Sequence, residues 1–392
     1  MRASPQRSSA AILEGVTTRR SATVLVSTLL VAAVLAACGG SGGGSEAVAG
    51  GSCDRGEIFE VAVLAGGGAL RCEMVEGTSL HSDDPARAAR FEWRDLAADE
   101  LESARATGPN VRADGSSTLA PMMTVAAKYF ENTSKSVNGS DAVRIAVGIS
   151  GTGGGFEKFC SGETDLSNAS RPIKDEEVSL CATNGVEFDE LRVALDGLAV
   201  VVNNSNDWAK CLTMDELSAI WSPDSTISSW ADVRQGFPDE PLRLFGAGTD
   251  SGTFDTFSEL VGGAAKALRK DVDTSEDDNV TVRGVSETAG GMGYFGLSYA
   301  VENADLVRAV AVDAGSGCTE PSEASVQDGS YPLARDLYVY AKHSSVVNNP
   351  GARAFLTFLA RHSSQIARDA LFVPLTDAEA AELVQRVVGI GS

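Results

Sequence analysis

Three short clusters constrain this chain more than any other feature: "DGSST" (114–118), "SGTGGG" (150–155) and "TDSGT" (249–253). Each sits between an apolar run and a helical pattern. "VRADGSST" ends a strand in a turn, and Leu119, Met122, Met123, Ala126 and Phe130 then recur at helical spacing. "VRIAVGIS" (143–150) is a β-branched strand; "GTGGG" follows it, and "FEKFCSG" reads as a short helix stopped by Gly162. "LRLFGAG" (242–248) leads to the third cluster, with "TFDTFSELVGG" as the helix behind it. A turn of this kind ends at a helix N-terminus, whose first backbone N–H groups have no partner within the helix. Those groups carry about half a positive charge, and small residues let an anion approach them. Hydroxyls can donate or accept as a guest requires. One such turn is an ordinary strand-to-helix connection. Three, all carrying hydroxyls, point to one shared oxyanion.

The rest of the chain follows the same grammar. "DLSNAS", "LAVVVN" (198–203), "LVRAVAV" (306–312) and "LYVYA" (337–341) read as strands. "KDEEVSLCATNG" reads as a helix, and "TMDELSAIW" (213–221) opens on a capping box of Thr213 and Glu216. The C-terminus is helical through "GARAFLTFLARHSSQIARDAL" and "TDAEAAELVQRVV". This alternation sets the class as α/β with mainly parallel strands. Residues 46–107 stand apart. "GEIFEVAVLAGGGALRCEMVEG" reads as a hairpin turning at "AGGG", and "DLAADELESARA" (95–106) has helical composition. We read this segment as a small appended module or a stalk.

The N-terminus reads as an export signal rather than part of the fold. Arg2, Arg7, Arg19 and Arg20 precede the apolar stretch 21–37, and "LAAC" at 35–38 resembles a lipobox ending at Cys38. The expectation is a signal peptide over 1–37, a lipid on Cys38 and a flexible tether in "GGSGGGS" (39–45). The alternatives are a signal with an incidental cysteine or a single membrane helix at the short limit for spanning. A net charge of −22 argues against nucleic acid or an anionic membrane surface as partner. Six cysteines remain beyond Cys38: Cys53, Cys72, Cys160, Cys181, Cys211 and Cys318. An even number in an exported chain suggests disulfides, with about 15 possible pairings. A metal site is the weaker reading, because the chain has no CxxC and only three histidines. His81, His343 and His362 are too scattered for a catalytic triad, and each reads as a surface or packing residue. No metal or cofactor is expected.

"DGSSTLAP", "SGTGGGFEKFCSGETDLSNASRPI", "DGLAVVVN", "TMDELSAIW" and "GTDSGTFDTF" stand in an order and spacing that resembles the periplasmic phosphate-binding proteins of ABC transporters. The resemblance runs from about 110 to about 375. It implies a two-lobed, hinged periplasmic-binding-protein-like fold of type II, each lobe a mainly parallel sheet flanked by helices. It implies a monomer that closes on inorganic phosphate and delivers it to a membrane permease, without making or breaking a bond. The lobes would comprise 108–195 plus 314–392 and 196–313, with crossings near Asp196–Gly197 and Asp313–Gly315. That division favours the pairs Cys53–Cys72, Cys160–Cys181 and Cys211–Cys318.

Carried over position by position, the resemblance implies phosphate contacts at Ser117 and Thr118 in the first turn and Thr152 in the second. Ser251, Gly252 and Thr253 follow from the third. Two positions depart from the family pattern. Ser170 stands where the best-known members place an Asp that accepts the proton of hydrogen phosphate, and Ala247 stands where they place an Arg. Arg171 is the expected replacement cation, with Ser170 as a hydroxyl partner, and Asp250 is a candidate substitute acceptor. Other readings are a secreted phosphoester hydrolase, a carrier of sulfate or arsenate, and a surface lipoprotein that binds nothing.

Overall fold

The computed structural model describes residues 47–391, apart from Asp83, Asp84, Asp250 and Ala265. The signal segment, Cys38, the tether and the candidate acceptor Asp250 therefore lie outside the described residues. No helix among those described is long and apolar enough to cross a membrane.

Fifteen strands are described. β1 (Val61–Val63), β2 (Ala69–Met74) and β3 (Phe91–Asp95) form one small antiparallel sheet. β4 (Val111–Gly115), β5 (Ile145–Val147), β6 (Leu166–Ala169), β7 (Phe188–Asn203), β9 (Arg243–Ala247), β10 (Asp273–Ser275), β11 (Gly291–Gly296), β12 (Val307–Ala309) and β15 (Ala334–Lys342) form the main sheet. β8 (Cys211–Thr213), β13 (Ala311–Asp313) and β14 (Cys318–Thr319) form a third.

The main sheet runs β10-β9-β11-β7-β15-β6-β4-β5, with β12 also on β7. β7 is its spine. Its first part pairs with β15 up to Gly197, and its second part pairs with β11 and β12 from Leu198 onward. The expected passage at Asp196–Gly197 is therefore a change of partners within one continuous strand. The sheet is mixed rather than mainly parallel. β4, β5 and β6 are parallel, as are β9, β10 and β11, whereas the two long strands β7 and β15 are antiparallel to their neighbours. The burial pattern explains the apolar composition of β7: every residue from Val193 to Asn203 is buried. Helix Ala120–Asn138 buries Met122, Met123, Ala126 and Phe130 on the face their spacing predicts. Thr213 and Glu216 cap helix Met214–Trp221 reciprocally.

The second passage differs from expectation. Asp313 accepts hydrogen bonds from the Gly315 and Gly317 amides at 2.7 and 2.9 Å. This folds "DAGSG" into the turn between β13 and β14, which stay beside β8. The chain reaches the other half of the sheet only at Leu333–Ala334, where the Leu333 carbonyl accepts from Leu198 N–H and β15 begins.

All three expected disulfides are present: Cys53–Cys72, Cys160–Cys181 and Cys211–Cys318. The segment before residue 107 holds the expected hairpin, but it is not a stalk. Phe59 is buried against Tyr129, Phe358 and His362. Thr133 donates to the Phe59 carbonyl and Asn132 to that of Ile58. The module thus shares the core of the helical layer, because its apolar residues have too little surface of their own to bury against.

Candidate functional site

The three glycine-hydroxyl clusters lie at the ends of β4, β5 and β9, and each leads into a helix. In the first, Ser116 and Thr118 are buried and Ser117 is half-buried. Pro121 occupies the first turn of the following helix, where no N–H is needed. In the second, the helix starts at Gly151, so the glycines form its first turn instead of a loop before it. Glycine is a poor helix former, and packing overrides that preference here. A Cβ on Gly155 would lie 2.5 Å from Gly115 Cα and 3.0 Å from the Asp114 carbonyl oxygen. Only glycine allows this helix to lie against the end of β4. Asp114 fixes the arrangement by accepting from Ser150 Oγ and Lys158 Nζ, each at 2.6 Å. Burial pushes the Asp114 carboxyl up, but those two donors outweigh it and hold it below the usual carboxylate range.

Thr152 and Ser170 meet. Their hydroxyl oxygens are 3.2 Å apart, and Ser170 N–H donates to Thr152 Oγ1. Arg171 follows them, but its guanidinium is engaged. It donates to both Glu177 oxygens at 2.7 and 2.8 Å and lies over the Phe156 ring. Its Nη2 is also 4.0 Å from where a Cβ on Gly153 would stand, so it borders the second turn. Arg171, the expected replacement cation, is thus already paired with a carboxylate.

The third cluster caps helix Gly252–Gly262. Ser251 Oγ accepts from Thr253 N–H, and Ser251, Gly252 and Thr253 are half-buried. This helix meets the first turn directly. A Cβ on Gly252 would be 2.6 Å from Thr118 Cα, and Ser117 Oγ donates to Asp255 Oδ2 at 3.0 Å. The contact joins the half of the sheet bearing β4 to the half bearing β9. The eight residues named from the sequence thus form two groups. Ser117 and Thr118 meet Gly252 across the halves, with Ser251 and Thr253 beside it at the same helix cap, and Thr152, Ser170 and Arg171 gather at the second turn.

Sequence reasoning missed Arg335 and named Asp196 only as a crossing point, not as part of the site. Arg335 lies in the second position of β15 with a mostly buried side chain. It donates to Thr118 Oγ1 at 2.8 Å, to Thr256 Oγ1, and to Glu259 at 2.6 Å. Its Nε is 3.6 Å from Asp196 Oδ2, and Thr256 Oγ1 donates to the same carboxylate oxygen. One guanidinium therefore links the first turn, the third helix and the crossing strand β7. Desolvation pushes the Asp196 carboxyl above its ordinary range, and Arg335 and Thr256 only partly oppose it. Two signals were present in the sequence. One is a single acid within the apolar run "VALDGLAVVVN"; the other is an arginine just before "LYVYA". Because the strand was read from Leu337 instead of Ala334, Arg335 fell in a connection.

Among the described residues, no three His, Cys, Asp or Glu side chains converge as a metal site. His362 is packed under the appended module beside Glu100, away from the three turns.

Comparison with known proteins adds a separate line of observation. A PBP superfamily domain matches residues 100–363, which excludes most of the appended module. The chain is 42% identical over 279 residues to "Protein SphX" of Synechococcus elongatus, covering 70% of this chain and 80% of the relative. It is 38% identical to the "Phosphate-binding protein PstS" of Staphylococcus saprophyticus, covering 69% of this chain and 82% of that protein. Among solved structures it is similar to a possible phosphate binding protein from Planctomyces limnophilus. That match has a TM-score of 0.68 and 38% identity, covering 73% of this chain and all of that one.

Proposed function

From the premise that this chain belongs to the phosphate-binding proteins of the PBP superfamily, we propose that it captures inorganic phosphate outside the cytoplasm and delivers it to an ABC transporter permease. The observation that carries this reading is the meeting of the first and third helix N-termini across the two halves of the sheet, with Arg335 bridging them. Helix N-termini attract anions through free N–H groups and the helix dipole.

In our reading Ser117, Thr118, Thr152, Ser170, Ser251, Gly252 and Thr253 surround the phosphate oxygens. Arg171 supplies charge by exchanging part of its contact with Glu177 for the guest. The two halves act as lobes that part and close about two strand passages, Asp196–Gly197 and Leu333–Ala334. Phosphate is released unchanged, so the work is transport rather than catalysis. Cys38 carries the lipid that keeps the monomer at the outer face of the cytoplasmic membrane.

Isothermal titration of the full chain with inorganic phosphate tests the proposal. Saturable binding of one phosphate per chain, with no turnover of a phosphate ester, is the expected result. Absence of binding, or ester hydrolysis by the same site, overturns it.

A further inference from the structure

The contact between Ser117 and Asp255 has a chemical consequence for which anions can enter. A serine hydroxyl has one proton to give and two lone pairs to offer. Here Ser117 Oγ gives its proton to Asp255 Oδ2, at 3.0 Å. What remains for a guest is acceptor capacity alone. The other oxygen of the same carboxylate, Oδ1, is buried and has no hydrogen-bond donor. Asp255 lies in the first turn of helix Gly252–Gly262 and Ser117 in the turn before helix Ala120–Asn138, so the bond spans the two halves. It exists only while they are together.

Phosphate and sulfate have the same shape and similar size. At neutral pH phosphate retains at least one P–OH proton, whereas sulfate has none. A site with only donors accepts either. A site with one fixed acceptor, backed by a half-buried carboxylate, pairs with the P–OH and sets a lone pair against an oxygen of sulfate. Leaving such a group unpaired, or opposing two acceptors, costs far more than a mismatch in apolar contact.

We propose that Asp255 determines selectivity by locking Ser117 as an acceptor, so that the closed site takes a protonated oxyanion and rejects sulfate. This rests on the phosphate-carrier reading above and assigns the discrimination within that site. It gives the role of proton acceptor to a relay of hydroxyl and carboxylate supplied by both halves, in a chain whose Ser170 has no carboxylate to offer.

The test is calorimetric titration of the full chain with inorganic phosphate and with sulfate, for the wild type and for Asp255→Asn. The amide has the shape of the carboxylate but can donate to Ser117 Oγ, turning the hydroxyl proton toward the guest. The wild type is expected to bind phosphate and not sulfate. Asp255→Asn should weaken phosphate by about ten- to a hundredfold, the worth of one charge-assisted hydrogen bond, and make sulfate binding measurable. Should the amide variant fail to fold, Asp255→Ala frees the same hydroxyl and should also collapse the phosphate-to-sulfate ratio. An unchanged ratio in the folded variant overturns the proposal. No phosphate binding by the wild type removes the carrier reading, and this inference with it.

Discussion

Replacing Arg335 by alanine removes a guanidinium that joins all three parts of the cleft, and its cost depends on pH in a direction the structure dictates. Arg335 faces Asp196 at 3.6 Å, and both side chains are nearly buried. Removing one member of a buried ion pair typically costs about 3–5 kcal/mol, because the partner is left charged in a poor solvent. Asp196 has a way out: its folded-state pKa is already raised by desolvation, so it can take up a proton. A carboxyl with a raised folded pKa contributes stability that is fully present below its unfolded value and is lost as pH rises through the folded value. Removing Arg335 takes away an attraction that opposed the rise, so the folded value climbs further. The extra loss therefore falls at neutral and alkaline pH. Arg335→Ala should lower the unfolding free energy by about 3–5 kcal/mol at pH 8. Near pH 4.5 only about 1–2 kcal/mol should remain, from lost packing and the bonds to Thr118 and Thr256. Urea unfolding at both pH values measures this. The double variant Asp196→Asn with Arg335→Ala should recover most of the pH 8 deficit, since no uncompensated charge is left. A deficit equal at the two pH values, or one that persists in the double variant, refutes the argument.

Other outcomes follow from single contacts. Gly252→Ala places a methyl group 2.6 Å from Thr118 Cα; it should hold the halves apart and weaken phosphate by at least about tenfold in calorimetry, the scale of an overpacked contact. Cys211 and Cys318 are 107 residues apart in sequence, so replacing both by serine should reduce the unfolding free energy by about 2–5 kcal/mol. Asp278 is raised to about 6 by burial and by the neighbouring Asp277 and Glu276. Its contribution is present at low pH and lost as pH rises through about 6, so Asp278→Asn should stabilise the chain by about 1–2 kcal/mol at pH 8 and leave it unchanged near pH 3.5.

What the sequence revealed and what it hid divide along the range of the interactions. The three turns were legible because glycine, hydroxyl and helix start are local signals, and the capping box of Thr213 and Glu216 needs only four residues. The helix start at Gly151 was not, because five residues of low helix preference are held helical by the approach of Gly155 to Gly115. The same limit hid the true second passage. "DAGSG" has the composition of either a linker or a tight turn, and the hydrogen bonds from Gly315 and Gly317 to Asp313 decide between them. Arg171 was read as the cation for the guest, and no local pattern ties it to Glu177 six residues later. In the fold that carboxylate both accepts from Lys174 N–H at the cap and grips the guanidinium. Arg335 could not be placed at all without the pairing of β15 against β7, which brings it to a residue 139 positions earlier, and the packing that brings it to one 217 positions earlier.

These pairings resolve a tension in the composition. A chain with a net charge of −22 should repel a phosphate dianion. The cleft does not overcome this with exposed positive charge: each of its two guanidinium groups already has a carboxylate partner, Glu177 for Arg171 and Glu259 with Asp196 for Arg335. Long-range attraction toward the site is therefore small. Affinity must arise at contact, where helix N–H groups and hydroxyls replace the water around the anion and the arginines redistribute their bonds. A site of this kind discriminates by hydrogen-bond polarity at short range, and that makes the direction of a single proton, from Ser117 to Asp255, matter more than the surrounding field.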